Sequence, residues 1–260
     1  MKTKAVILAG GLGTRFSEET YNKPKPMIEI GGIPICVHIM NTYAKYGVKD
    51  FIICMGYRKE YIVDYFTNYN SRRSGVIEVE LSTGTVKKTN YECVDWNVTL
   101  VDTGELTMIG GRVKKILPFV INDPYFYLTY GDGVSDVDIG ELTKKHVSSG
   151  KRVTLTAVQP EGRFGALKFN GEEVTDFVEK PQGDGGWING GYFVVNPNGI
   201  DELIEGDSTV WEQEPLMHLA HNNQLGAYRH VGFWKPMDTL RDKVQLEQMW
   251  EKGNAPWSVK

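Results

Sequence analysis

The sequence predicts an α/β fold in which helices cover both faces of a mostly parallel central sheet, with an antiparallel portion added. Three observations predict it. Near-continuous apolar runs alternate with helical periodicity from Lys4 to Phe66. The first apolar run ends in closely spaced glycines, and the second half changes to short strands punctuated by Gly and Asn.

Lys4–Ala9 reads as a buried strand running into Gly10-Gly11-Leu12-Gly13. Pro34–Tyr46 has Ile35, Ile39, Met40 and Tyr43 at helical spacing, with a Pro near its start. Asp50–Met55 is a second buried strand and Tyr57–Phe66 a second helix. Right-handed crossovers then place ligands at the carboxyl ends of the strands. Val76–Leu81 and Val98–Val101 are further strands, separated by a polar, loop-like stretch over Ser82–Asp95. Phe126–Tyr130 is a strand that stops at Gly131-Asp132-Gly133, followed by a helix around Ile139–Ser148, which Asp138 caps, and a strand over Val153–Val158. Ala166–Phe169, Val174–Glu179 and Trp187–Val195 supply the antiparallel portion, with helices at Glu212–Asn222 and Thr239–Trp250. No repeat or linker interrupts the chain. One domain with two parts is expected, one mainly over 1–135 and the other mainly over 136–260.

The 260 residues carry a formal charge of −4, which argues against nonspecific binding to nucleic acid but not against a local anion pocket. Apolar runs such as Ala5–Ala9 and Phe51–Met55 are far too short to span a bilayer. The amino terminus enters a strand rather than a secretory segment, so a cytoplasmic protein without membrane partners is expected. Cys36, Cys54 and Cys93 lack metal-type spacing, and reduced, unpaired thiols are expected.

Leu8-Ala9-Gly10-Gly11-Leu12-Gly13-Thr14-Arg15 is the most informative segment. Glycines after a buried strand let the backbone approach a polyphosphate and form an N–H nest. The loop is not a Walker A motif, because Gly13 is followed by Thr14-Arg15. It is not a dinucleotide fingerprint either, because Phe16 stands where the third glycine belongs, which disfavours a nicotinamide oxidoreductase. In Lys23-Pro24-Lys25-Pro26 the prolines stiffen the loop, so that the lysines lose less freedom on binding an anion. Taken singly, Lys23 or Lys25 reads as a solvated turn residue; beside the glycine loop and Arg15, both read as phosphate ligands. Asp132, between glycines at a strand's carboxyl end, is placed as a ligand-facing carboxylate.

The run Ala9–Arg15 followed by Lys23-Pro24-Lys25-Pro26-Met27 resembles the signature of the sugar-1-phosphate nucleotidyltransferases. Later landmarks follow in that family's order: Tyr130-Gly131-Asp132-Gly133, Phe164-Gly165-Ala166-Leu167, Glu179-Lys180-Pro181, Asn189-Gly190-Gly191 and Pro236-Met237-Asp238-Thr239. The resemblance spans almost the whole chain and implies a Rossmann-like three-layer α/β/α fold. The segments Trp96–Gly104 and Trp211-Glu212-Gln213-Glu214-Pro215-Leu216 are similar to the branch that joins CTP and glucose 1-phosphate into CDP-glucose for dideoxysugar and O-antigen synthesis. The choice of CTP rests on that resemblance, and UTP or dTTP stays open.

The resemblance implies roles for particular residues. Leu8, Ala9, Gly10, Gly11, Gly13, Thr14, Arg15, Lys25 and Gly131 would hold the nucleotide, with Thr107 and Arg112 from the Met108–Arg112 segment. Gly165, Glu179, Lys180, Asn189 and Gly190 would hold the sugar phosphate, and Asp132 and Asp238 a magnesium ion. Spacing alone reads Asp238 as the cap of the helix that follows it. Lys25, Arg15, Asp132 and Asp238 are the expected catalytic residues. A sugar phosphate is largely dianionic above its second pKa of about 6, so its oxygen needs no general base. The catalyst must instead hold two mutually repelling anions in line and stabilise the transferring charge.

His218 and His221 have a zinc-compatible spacing but no accompanying Glu or Cys pattern, so a solvated or core-edge pair is expected. Trp211, Trp234 and Trp250 read as core or subunit contacts in a homo-oligomer, whereas Trp187 and Tyr192 are candidates to touch the sugar. The rival from another class is a non-catalytic subunit that senses nucleotide sugars.

Overall fold

The computed structural model describes residues 3–13, 23–91, 94–160, 166–178 and 186–258, without the side chains of residues 90 and 91. In chain order its central sheet comprises β1 (Lys4–Leu8), β2 (Asp50–Met55), β3 (Asn97–Asp102), β4 (Phe126–Tyr130), β5 (Val153–Val158), β6 (Ile188–Asn189), β7 (Phe193–Val195) and β8 (Leu225–His230). The order across the sheet is β3-β2-β1-β4-β7-β5, with β6 following β7's side of β5 and β8 on β5's far side. Strands β3, β2, β1 and β4 are mutually parallel, as are β5 and β8, whereas β6 and β7 run antiparallel to β5. The register places Leu8, Cys54 and Tyr130 at one level, so β1, β2 and β4 deliver their carboxyl ends to one edge.

Alternation along β1 explains the three layers. Ala5 and Ile7 enter a cluster with Ile35, Ile39, Met40 and Tyr43, from the helix α1 (Ile35–Ala44). Val6 and Leu8 face the other side, against Val113, Ile116, Leu117 and Val120 of a later helix spanning Ile109–Val120. A strand buried on both faces needs continuous apolar sequence, which is what β1, β2 and β4 carry. Cys36 and Cys54 are buried free thiols whose pKa values burial pushes up to about 12, so both behave as small apolar residues.

The remaining labelled helices are α2 (Lys59–Thr67), α3 (Ile109–Val120, just described), α4 (Ile139–Ser149), α5 (Glu214–His221) and α6 (Leu240–Glu251). Asp138 caps α4 by accepting the Glu141 N–H at 2.9 Å. No helix among the described residues is long and apolar enough to cross a membrane.

Several expectations are corrected. The stretch Ser82–Asp95 is not a plain loop: Thr85–Tyr91 is a strand that pairs with Ser74–Glu80 in a hairpin apart from the central sheet. The paired Ser74–Glu80 strand is largely exposed, and Thr85–Tyr91 is polar, so no apolar alternation marks the latter. Ala166–Asn170 and Glu173–Val178 likewise form their own hairpin instead of extending the sheet. The single strand expected over Trp187–Val195 is interrupted at residues 190–192, where Gly191 (φ 75°) and Tyr192 (φ 47°) adopt left-handed backbone. Helix α3 has no clear sequence signal, since Gly110, Gly111 and Pro118 read as breakers. Those two glycines admit close packing: a Cβ on Gly110 would meet Thr209 O at 2.7 Å, and one on Gly111 the Asp207 Cα at 2.7 Å.

Candidate active site

A cleft of about 580 Å³ opens at the carboxyl edge of β1 and β4. Its glycine wall is built by the turn after β1. A Cβ on Gly10 would lie 1.9 Å from the Arg112 guanidinium, whereas one on Gly11 would meet nothing within 4 Å. Gly10 therefore admits Arg112 from behind, and Gly11 keeps the floor of the cleft open. Gly131, at the end of β4, is held to glycine by Leu8 O, 2.7 Å from where a Cβ would be.

Arg112 extends from α3 and is buried. Its guanidinium donates to Gly10 O at 2.8 Å, Met55 O at 3.1 Å, Glu105 O at 3.3 Å and the Thr103 hydroxyl. Burial lowers its pKa from the usual value, with nearby Asp102 and Asp207 acting in the opposite direction. The fork thus ties the ends of β1, β2 and β3 together beneath the glycine turn.

The charged end is built from three distant stretches. Lys25 opens the 3-10 turn Lys25–Met27, whose Pro26 and Met27 are buried. Gly133–Ser135 pairs with Trp234–Pro236, and Met237 N donates to Asp132 O at 2.8 Å, which brings Asp132 and Asp238 to one point. Lys25 Nζ lies 2.7 Å from Asp132 Oδ2 and 2.6 Å from Asp238 Oδ1, with its side chain only 11% exposed. Burial pulls the Lys25 pKa down, but ion pairing and hydrogen bonding with Asp132 and Asp238 outweigh it, so the pKa is raised.

Two carboxylates converging on one cation form a donor set suited to Mg²⁺, which takes one or two carboxylates and fills the remaining positions with phosphate oxygens and water. Among the described residues no group of three or more His, Cys, Asp or Glu side chains is placed to hold a metal ion. Asp238 is not the cap of α6. Thr239 takes that position in a capping box with Asp242, which leaves the Asp238 carboxylate free for the cleft.

Asn189 and Tyr130 also line the cleft, with Trp234 and Pro236. The Trp234 indole N–H donates to Gly190 O at 2.8 Å. Thus Leu8, Gly10, Gly11, Gly13, Lys25, Thr107, Arg112, Gly131, Asp132, Asn189 and Asp238 all reach one cavity. Ala9 does not form part of the wall: it is buried, and its N–H is engaged by Cys54 O. Thr14, Arg15, Gly165, Glu179 and Lys180 lie outside the described residues.

Some side chains take other places than the sequence suggested. Lys23 is exposed and pairs with Glu29, a surface contact rather than a phosphate ligand. Tyr192 is buried, with its hydroxyl donating to Gly133 O, and Trp187 lies under Arg229, so neither lines the cleft. Trp211 is core and Trp250 packs on His38, but Trp234 belongs to the cleft wall. His218 and His221 are exposed on α5. Trp234, Met108 and Ile109 were not singled out as site residues, and only Trp234's proximity to the Pro236–Thr239 motif could have pointed to it.

A glycine turn, a buried cation and two converging carboxylates thus meet at the carboxyl edge of a parallel sheet. Residues 4–235 match the nucleotidyl transferase family model, and the chain belongs to that family. It is 56% identical, over 98% of this chain and 99% of the relative, to the glucose-1-phosphate cytidylyltransferase of Salmonella typhimurium. Its fold is similar to HddC from Yersinia pseudotuberculosis, with a TM-score of 0.69 at 22% identity, covering 95% of this chain and 99% of that one. It also resembles a UDP-glucose pyrophosphorylase solved with UDP-glucose, with a TM-score of 0.66 at 17% identity, over 97% and 100% of the two chains.

Proposed function

We propose that this protein transfers CMP from CTP to glucose 1-phosphate, giving CDP-glucose and pyrophosphate. The observation that carries the reading is the convergence of Lys25, Asp132 and Asp238 beside the open glycine turn, in a chain 56% identical to a named glucose-1-phosphate cytidylyltransferase. Residues mainly within 1–135 take the nucleotide, and residues mainly within 136–260 take the sugar and complete the metal site.

Gly11 leaves room for the triphosphate to approach the backbone of the turn, which Gly13 continues along the cleft. In this reading Thr107, Met108 and Arg112 border the base end and Asn189 the sugar end, while Gly190 does not line the cleft and its carbonyl accepts from the Trp234 indole there. Arg15, Glu179, Lys180 and Gly165 complete the two phosphate and sugar contacts in this reading. Asp132 and Asp238 would hold Mg²⁺, which supplies positive charge at the α-phosphate and pyrophosphate oxygens. Lys25 is placed to turn from the carboxylates to the phosphates, where its fixed charge offsets the repulsion between the reactants. The glucose 1-phosphate oxygen, already ionised, then attacks the α-phosphorus in line, and the bond to pyrophosphate breaks. No side chain must accept a proton. The enzyme acts as a cytoplasmic homo-oligomer in this reading.

The test is pyrophosphate release with glucose 1-phosphate and CTP, UTP, dTTP or GTP in turn, with Mg²⁺ or with EDTA. Turnover with CTP that EDTA abolishes is expected. Preference for UTP or dTTP would overturn the base assignment, and no turnover with any triphosphate would favour a sensing subunit.

A further inference from the structure

Glu212 stands two residues before α5, apart from the residues that line the cleft. Its carboxylate nevertheless reaches the cleft through one intermediary. Tyr130 donates its hydroxyl hydrogen to Glu212 Oε1 at 2.6 Å, and the Tyr130 hydroxyl oxygen accepts from Asn189 Nδ2 at 2.9 Å. Asn189 Oδ1 in turn accepts the Gly191 N–H at 2.9 Å, on the left-handed turn that interrupts the strand.

We propose that Glu212 is a positioning residue for the sugar: acting through Tyr130, it sets the orientation of the Asn189 amide that meets the sugar hydroxyls, and so contributes to hydroxyl selectivity. The inference rests on reading the Asn189 end of the cleft as the sugar subsite. A phenol has one hydrogen to give. A carboxylate acceptor claims it, which leaves the phenol oxygen only as an acceptor toward Asn189. Burial, and then the Glu212 charge, hold the Tyr130 pKa far above the usual phenol range, so the hydroxyl stays protonated. The relay therefore runs in one direction.

Asn189 can then face the cleft only with its nitrogen on the Tyr130 side and its oxygen on the Gly191 side. One N–H and one lone pair of the amide remain unused. Together they suit sugar hydroxyls, each of which both donates and accepts. Without the carboxylate, the Tyr130 hydrogen can turn toward Asn189, and the amide loses one of its two orienting contacts. A site built to pair a particular hydroxyl discriminates against analogues that leave it unpaired.

The test compares wild type with Glu212→Ala, Glu212→Gln and Tyr130→Phe, measuring KM for glucose 1-phosphate, KM for CTP, selectivity against galactose 1-phosphate, and thermal stability. Glu212→Ala and Tyr130→Phe should raise KM for glucose 1-phosphate roughly tenfold and reduce selectivity, with KM for CTP unchanged. Glu212→Gln, which keeps an acceptor oxygen for the tyrosine, should restore most of both. An unchanged KM for glucose 1-phosphate in Glu212→Ala and Tyr130→Phe, or equal rises for both substrates, would overturn the inference. Should Glu212→Ala fail to fold, Tyr130→Phe and Glu212→Gln decide by the same criteria. If wild type makes no CDP-glucose in the parallel reaction, the transferase reading falls and this inference with it; wild-type turnover with unmoved variants sinks the inference alone.

Discussion

Lys25 Nζ sits 2.6 Å from Asp238 Oδ1, although 213 positions separate the two residues in the chain. With Asp132 at 2.7 Å, the ammonium occupies the place between the carboxylates where a divalent ion would bind. In the proposed function, the divalent cation and the lysine would compete for the same oxygens. Lys25→Met should bind Mn²⁺ in the absence of nucleotide roughly tenfold more tightly than wild type, measured by electron paramagnetic resonance titration. The same change should lower turnover by about 100-fold or more while the circular dichroism spectrum keeps its shape. Unchanged Mn²⁺ affinity would show that Lys25 does not occupy the metal position. Because the Lys25 pKa is raised in the folded protein, its pairing is fully present below the unfolded value near 10.4 and fades only as pH rises through the higher folded value. Its contribution should be flat between about pH 6 and 9.

The two glycines Gly10 and Gly11 should respond differently to alanine. At Gly10 the added methyl runs into a buried guanidinium whose hydrogen bonds leave it nowhere to retreat. Gly10→Ala should lower the melting temperature and abolish nucleotide binding together. At Gly11 the methyl enters open space, so Gly11→Ala should melt as wild type but show a KM for nucleotide raised about tenfold. Calorimetry beside steady-state kinetics separates the two cases.

Arg112→Lys removes the planar fork while keeping a charge. One ammonium cannot reproduce contacts to Gly10 O, Met55 O, Glu105 O and Thr103 at once. The expected loss is about 1–3 kcal/mol in urea unfolding, because buried carbonyls are left without donors. A variant as stable as wild type would show that the three strand ends do not depend on this fork.

Asp242 accepts from Thr239 in the capping box of α6, and its oxygen also receives the Asp238 N–H at 3.2 Å. Burial pushes the Asp242 pKa up, but the Thr239 hydrogen bond and Lys235 outweigh it and hold the pKa below the usual carboxylate value. A depressed pKa contributes stability above the unfolded value near 3.9 that is lost as pH falls through the lower folded value. Asp242→Ala should cost about 1 kcal/mol near neutral pH, or roughly 2–4 °C in melting temperature. That difference should close as pH falls below the unfolded value near 3.9 and through the lower folded value. A gap that persists in acid would point to packing rather than to the carboxylate.

Much of this protein was legible in one dimension wherever a local rule applies. β1, β2 and β4 appeared as apolar runs because a strand buried on both faces tolerates little else, and Asp138 appeared as a cap because capping is settled within one turn. Helix α3 and the strand Thr85–Tyr91 were not legible. The glycines of α3 serve contacts with residues 207–209, far along the chain, and the exposed hairpin has no core to impose a pattern. Asp238 shows the same division: its spacing suggested a cap, but the capping box at Thr239 frees it.

The sequence by itself determined the kind of chemistry available: a glycine turn after a buried strand, a stiffened lysine, and acids at strand ends. Only the tertiary structure decided which charges meet. Lys25 reaches Asp132 and Asp238 while Lys23 turns to the surface, and Glu212 and Trp234 meet Tyr130 and Gly190 from distant segments. The physical reason is that helix caps and strand burial depend on neighbours along the chain. A charge cluster depends instead on sheet order and register, which no spacing between residues encodes.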